Sequence, residues 1–368
     1  MSVHTPLPDL PPPTLSVGVL GWLRSNLFSS PLHTVLSLFA LYLIYLTVPP
    51  VINWVFLDAT WVGDTREACS GAAGACWVFI KVRFNQFMYG FYPESQQWRI
   101  NLAFGLLIVL AIPLFIKKFQ HKGKLALFIL LVYPVINFQL FSGGHFGLPH
   151  VETARWGGLS LTLILAGVGI AAALPLGIVL ALGRRSTMPM VKSVSVVFIE
   201  FWRGVPLITV LFMSSVMLPL FLPEGTNFDK LLRAMIGIAL FQSAYIAEVV
   251  RGGLAAIPKG QYEAAEALGL SYWKSMGLII LPQALKMVIP GIVNTLIALF
   301  KDTTLVLIIG LFDLLGVIQQ AFADPNWLGF SIEGYVFAAG IYWIFCFGMS
   351  RYSMALERKL DTGYRGKS

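Results

Sequence analysis

Apolar residues run through this chain in stretches of bilayer length, separated by short polar segments. Eight stretches predict membrane spans at roughly 34–57, 99–116, 124–141, 158–183, 190–221, 231–257, 284–304 and 334–356. The second and third are short and joined by the basic hairpin "KKFQHKGK". Pro49 and Pro50 predict a kink in the first. The fifth is too long for one straight crossing, and Gly204 and Pro206 predict its break. A β-barrel would show short alternating segments instead. The pattern predicts an all-α membrane protein with eight transmembrane helices.

One stretch resists this pattern. "YEAAEALGLSYWKSMGLIILPQAL", Tyr262 to Leu285, is too polar to span and too patterned for a plain linker. "GQYEAAEALG" reads as a short helix after Pro258-Lys259-Gly260, because alanine favours helix. Tyr262, Ala265, Leu268 and Tyr272 are expected on one face, with Glu263 and Glu266 neighbours on another. Gly269 is a natural stop. "LIILPQAL" then returns the chain to the membrane, with Pro282 near the start of the next helix. The reading is a small-faced helix on the membrane surface. It serves either as a docking face or as an amphipathic loop resting on headgroups.

Composition supports the membrane assignment. The chain is 57% hydrophobic and 12% charged, against about 25% charged in a soluble domain. The net charge of +8 does not require nucleic acid, because basic residues on the cytoplasmic side give the same excess. Placing the N-terminus in the cytoplasm puts seventeen Lys and Arg in cytoplasmic segments and seven outside. Both termini and Tyr262–Leu285 are therefore expected inside. Residues 1–33 form a Pro-rich cytoplasmic tail, expected to be disordered or surface-bound, and the apolar run after it is expected to be retained. Residues 34–150 hold three spans and an outside loop at about 58–98, residues 151–360 hold five spans, and 361–368 form a cytoplasmic tail. No convincing internal repeat relates the two parts.

Candidate chemistry is sparse. Cys69 and Cys76 share the outside loop and form either a disulfide or two free thiols; Cys346 sits in an apolar run. The five histidines are scattered, and His145 and His150 read as loop residues, so no metal site is expected. "GVGIAA", Gly167 to Ala172, satisfies a dinucleotide pattern but lies within a span, where small residues serve close helix packing. "GKS", Gly366 to Ser368, ends like a phosphate loop, but that loop's first glycine would fall on Asp361. No nucleophile–base constellation stands out. The chain is expected to be no enzyme and to hold no cofactor, with any ATP work done by a partner.

The spacing Glu263-Ala264-Ala265, three residues, Gly269, nine residues, Ile279-x-Leu281-Pro282 resembles the EAA motif of bacterial ABC importer permeases at every position. In that family the segment is the coupling helix that docks on the ATPase subunit. The resemblance implies that role for segment 258–283 and for Glu263, Ala264, Ala265, Gly269, Ile279, Leu281 and Pro282. "GGLSLTL" (157–163), "IEFWRGVPL" (199–207), "SAYIAEVVRGGLAAIPKGQYEAAEALG" (243–269) and "LFKDTTL" (299–305) are similar to polar amino acid permeases of the histidine and glutamine type. The whole chain is most like the larger permease subunit of a general L-amino acid importer.

This resemblance implies a three-helix N-terminal extension before a five-helix permease core in the bacterial inner membrane. It implies four kinds of partner: a second, related and shorter permease chain, an ATP-binding subunit dimer, a periplasmic amino acid-binding protein, and membrane lipid. ATP and Mg²⁺ would be held by the ATPase. A rival reading, an ion-coupled secondary amino acid transporter, would be expected to show paired repeats and matched intramembrane carboxylates. Neither is clear here.

The resemblance also implies a translocation path between the two permease chains, where buried charge is the first feature to seek. Arg203 lies about 15–20 Å into its span, beside the expected break. It is a candidate for a substrate α-carboxylate, against an internal pair with Glu200. Asp302, with Thr303 and Thr304, is a candidate for the α-ammonium group, with Lys301 as a competing partner. Glu248 and Arg251, spaced i, i+3, read as a structural bridge or gate anchor.

Overall fold

The computed structural model describes residues 18–71, 73–116, 119–145, 147–223 and 228–360. Most of the tail 1–33, the lysines at 117 and 118, and the tail 361–368 with its "GKS" lie outside the described residues. The described residues form helices and turns with no β-strand. Among the described residues seven helices are long and apolar enough to cross a membrane, or eight spans when the bent helix pair Pro189–Gly204 and Leu207–Phe221 is counted as one. The eight predicted spans each coincide with one of these.

Two compact units divide the chain, Met1–Phe79 and Ile80–Ser368. The sequence placed its boundary near residue 150. In the structure, the second and third spans instead belong with the five that follow.

In the first unit, α1 is Gly18–Asn26 and α2 is Pro31–Ile52. Ser30 caps α2 by accepting from the His33 N–H at 3.2 Å, and Pro31 opens it, where a missing N–H costs nothing. The chain stays helical through Pro49 and Pro50 and then widens into a π-turn, Asn53–Leu57. Where a kink was expected at the prolines, the change of helix geometry instead comes three residues beyond them. Beyond it, Cys69 and Cys76 are bonded to each other. Trp77 donates from its indole to the Val55 carbonyl at 2.8 Å, pinning the bonded loop to the end of the span. The expected loop 58–98 also contains a helix, α3, Trp77–Tyr89.

In the second unit, α4 (Gln97–Phe115), α5 (Lys122–Leu131) and α6 (Tyr133–Ser142) form two crossings, with α5 and α6 nearly continuous. Next come α7 (Gly158–Arg184), α8 (Pro189–Gly204) and α9 (Leu207–Phe212). The axis turns by 102° between α8 and α9, at the predicted Gly204–Pro206 break. Helix α10 (Lys230–Ala256) packs along α7 and is the most buried span. Small residues permit this contact: a Cβ on Gly177 would lie 2.5 Å from Ile246, and one on Gly169 3.3 Å from Ile238. Within the dinucleotide-like run, Gly169 thus serves close helix packing.

The polar segment folds as α11 (Lys259–Ala267), followed by α12 (Tyr272–Ser275), a π-turn (Met276–Ile280) and α13 (Leu281–Asp302). Helical structure continues from Tyr272 to Ile309 over 38 residues, more than a bilayer crossing needs. The seventh span thus begins about twelve residues before the predicted start at 284, so the later part of the predicted surface segment already belongs to it. A short apolar helix, α14 (Leu314–Ala323), and the final span, α15 (Ser331–Leu360), complete the unit. No apolar run of spanning length announces α14. Asp313 sets its start by accepting from the Gly316 N–H at 2.9 Å.

Candidate coupling helix and ion-pair cluster

Helix α11 is held from beneath. Ala265 is buried, and Tyr262 is half-buried against an apolar cluster formed by Val250, Leu254, Met276 and Ile280. The Tyr262 hydroxyl donates to the Leu254 carbonyl at 3.0 Å and accepts from Arg185 at 3.0 Å. The Arg185 guanidinium lies 5.3 Å from the Tyr262 ring centre and also donates to Leu254. Gln283 donates to Gln261 at 3.1 Å, fastening the start of α13 to α11.

The helix ends at Ala267, and the chain reverses at Gly269, whose φ is +68°. A Cβ there would meet no atom within 4 Å. The constraint is conformational: glycine enters the left-handed region without steric penalty. Leu268 and Tyr272 fall beyond the helix and are exposed. The expected single face of Tyr262, Ala265, Leu268 and Tyr272 is therefore split. Its first two members anchor the helix, and the other two leave the 3.6-residue period with the chain reversal.

Glu263, Ala264, Glu266 and Ala267 are exposed on α11. Close by in sequence, Leu268, Trp273 and Leu278 are 75%, 73% and 71% exposed. This surface is small and acidic on the helix and apolar around it. Of the remaining motif residues, Ile279 and Leu281 pack on the apolar cluster, while Pro282 is exposed in the first turn of α13. Sequence reasoning passed over the exposed Trp273 and Leu268, and over Arg185 as the residue that anchors Tyr262. The adjacent pair Arg184-Arg185 at the end of an apolar helix was the available signal.

A cluster of charge joins α7, α8 and α10. Glu248 accepts from Arg251, with Nε at 2.8 Å, and from Arg184 at 3.4 Å, and Arg203 lies 3.9 Å away. Arg184 also pairs with Glu200 at 2.8 Å. The expected Glu200–Arg203 pair is replaced. The bend after Gly204 leaves Arg203 at the end of α8, over the Tyr245 ring at 5.9 Å and directed to α10. Three guanidiniums meet two carboxylates, so the cluster carries surplus positive charge.

Asp302 does not join it. Gln242 on α10 donates to the Thr295 carbonyl on α13, at 2.7 Å. From that crossing Glu248 and Asp302 lie in opposite directions, about 20 Å apart along the axes at 1.5 Å per residue. Thr303 is fully buried and donates to Phe300, so its hydroxyl serves the backbone. Thr304 does the same toward Lys301. Among the described residues no group of His, Cys, Asp and Glu could hold a metal ion.

Comparison with known proteins gives a consistent outcome. Residues 173–362 match the family described as the binding-protein-dependent transport system inner membrane component. The chain is 62% identical over 356 residues to the inner membrane amino-acid ABC transporter permease protein YhdY of Escherichia coli strain K12, covering 97% of each. It is 42% identical to the glutamate/glutamine/aspartate/asparagine transport system permease protein BztC of Rhodobacter capsulatus, covering 96% of each. A crystal structure of an amino acid ABC transporter with histidines aligns at 30% identity and a TM-score of 0.49, over 55% of this chain and 92% of that one.

Proposed function

From the premise that this chain belongs to the binding-protein-dependent transport inner membrane family, as an amino-acid ABC transporter permease, we propose how it works within the importer. It forms the translocation path for L-amino acids with a second permease chain and receives ATPase movement through α11. The observation that carries this reading is the surface helix itself. The start of the EAA spacing, Glu263-Ala264-Ala265, lies in a short helix whose polar side is free and whose inner side is tied to α7 and α10.

In this reading the α11 end of the bundle faces the cytoplasm, as the Lys and Arg bias favours. ATP and Mg²⁺ sit in separate ATPase subunits, and their chemistry is not performed by this chain. A periplasmic binding protein delivers the amino acid. Closure of the ATPases presses on α11, Arg185 passes the displacement to the end of α7, and Arg184 beside it disturbs the Glu200–Glu248 cluster. Arg203 is then released to meet a substrate carboxylate, which competes with Glu248 for the guanidinium. Membership in an ABC family removes the motive for the ion-coupled reading. Omission of single components from reconstituted proteoliposomes tests the proposal. Uptake should need both the binding protein and the ATPase, and uptake driven by an ion gradient alone would overturn it.

A further inference from the structure

A long apolar groove of about 600 Å³ lies between α5–α6 and α7. Ala126, Ile129, Tyr133, Asn137 and Phe141 line one wall at the three- and four-residue spacing of a single helix face. Gly167 on α7 opens into it, since a Cβ there would meet no atom within 4 Å. The run from Ala126 to Phe141 is about 22 Å long at 1.5 Å per residue, against a hydrocarbon core of about 30 Å. Leu127, on the side of α5 away from the groove, is 56% exposed, and Val135, which lines the groove, is 61% exposed, so the groove lies at the perimeter of the unit. Its length and apolar lining match an extended hydrocarbon chain. They do not match a zwitterionic amino acid, which would need a carboxylate for its ammonium group.

One end of the groove is basic. Lys122 precedes Ala126 by one helical turn on the same face of α5, and Lys124 belongs to the same first turn. The Phe115–Tyr352 ring contact, 5.7 Å between centres, sets the end of α4 beside α15 and brings Arg351 to the same end. No Asp or Glu occurs in the sequence between Glu94 and Glu152, so α4, the hairpin, α5 and α6 contain no acidic residue to neutralise these lysines.

We propose that this groove holds an acyl chain of one anionic phospholipid, with the phosphate at Lys122 in the basic first turn of α5. Apolar length and a basic mouth together select this occupant: a neutral chain would leave the lysines unmatched, and a free anion would leave the groove unfilled. The site is separate from the coupling helix and does not depend on which amino acid is carried.

Native mass spectrometry of the full chain in mild detergent, titrated with phosphatidylglycerol or phosphatidylcholine, tests it. One phosphatidylglycerol should be retained with a preference of about ten-fold or more, as expected for two juxtamembrane lysines. Replacing both Lys122 and Lys124 by Ala should bring the two lipids level. Gly167→Leu, which extends into open space, should displace both lipids without lowering the unfolding temperature. Should that variant fold poorly, phosphatidylglycerol with a photoreactive acyl chain should label peptides of α6 and α7 in the unaltered protein. Equal retention of the two lipids, or labelling confined to other helices, would overturn the proposal. A photo-cross-linker at position 167 that captures another permease chain would also overturn it, by making the groove a subunit interface.

Discussion

Nη1 of Arg185 lies 3.0 Å from the Tyr262 hydroxyl, and the same atom reaches the Leu254 carbonyl, so α7, α10 and α11 meet at one guanidinium. Arg184, its neighbour, belongs to the ion cluster. Two consecutive residues thus connect α11 to the ion cluster.

Tyr262→Phe keeps the ring beneath Arg185 and removes the hydroxyl. A net hydrogen bond is worth about 1 kcal/mol, or about five-fold in an equilibrium. Uptake should fall by about that factor while the ATPase subunits still co-purify. Arg185→Lys should not restore the link, because an ammonium cannot reproduce the guanidinium's planar fork. Unchanged uptake in both variants would remove this junction from the transmission path.

At Gly269 the backbone conformation and the available space give separable expectations. Gly269→Asn should keep most uptake, since asparagine enters the left-handed region readily. Gly269→Val should lose it, with a strain of about 1–2 kcal/mol expressed in the chain reversal after α11. Co-purification and ATPase assays in vesicles would report whether the valine variant detaches the ATPase or uncouples it. Equal behaviour of the two variants would contradict the conformational account.

Glu248 accepts from or faces three arginines, so Glu248→Gln removes the charge that holds them together. The cluster is partly exposed, which limits the expected stability loss to about 1–2 kcal/mol. Transport should suffer more than stability. Arg203→Ala should abolish uptake and leave the complex assembled. Normal uptake by that variant would end the case for Arg203 in the path.

Asp313, between the last two spans, has its carboxyl raised above the usual range, chiefly by burial, with the backbone N–H of Gly316 and the Tyr342 hydroxyl pulling it back. A folded-state value above the unfolded one means the folded protein binds the extra proton within that window. Stability is then fullest at low pH and declines as pH rises from the unfolded carboxylate range through the folded value. Asp313→Asn retains an acceptor for Gly316 and should flatten this slope in thermal unfolding across mildly acidic pH. An unaltered slope would assign it to other groups.

The eight spans were legible because bilayer length leaves few alternatives for an apolar run, and Gly204 with Pro206 marked the bend directly. Helix α14 was not legible, because its ten residues are too few for a spanning pattern and its start depends on the Asp313 cap. The partner of Arg203 was also hidden. Spacing along one helix suggested Glu200, whereas packing of α8 on α10 brought Glu248, which is distant in sequence. In segment 258–283, periodicity found α11 and Gly269 but placed Leu268 and Tyr272 on one face with Tyr262 and Ala265. A period cannot be carried through a left-handed residue. Arg185 required the tertiary structure, since its contacts lie on α10 and α11.

A photo-cross-linking residue at Ala264 or Ala267, the exposed small positions of α11, measures the central claim most directly. Illuminated in membranes containing the whole transporter, either position should capture the ATPase subunit, and the yield should change when ATP is supplied. Capture of lipid alone at both positions, with uptake still ATP-dependent, would contradict the account.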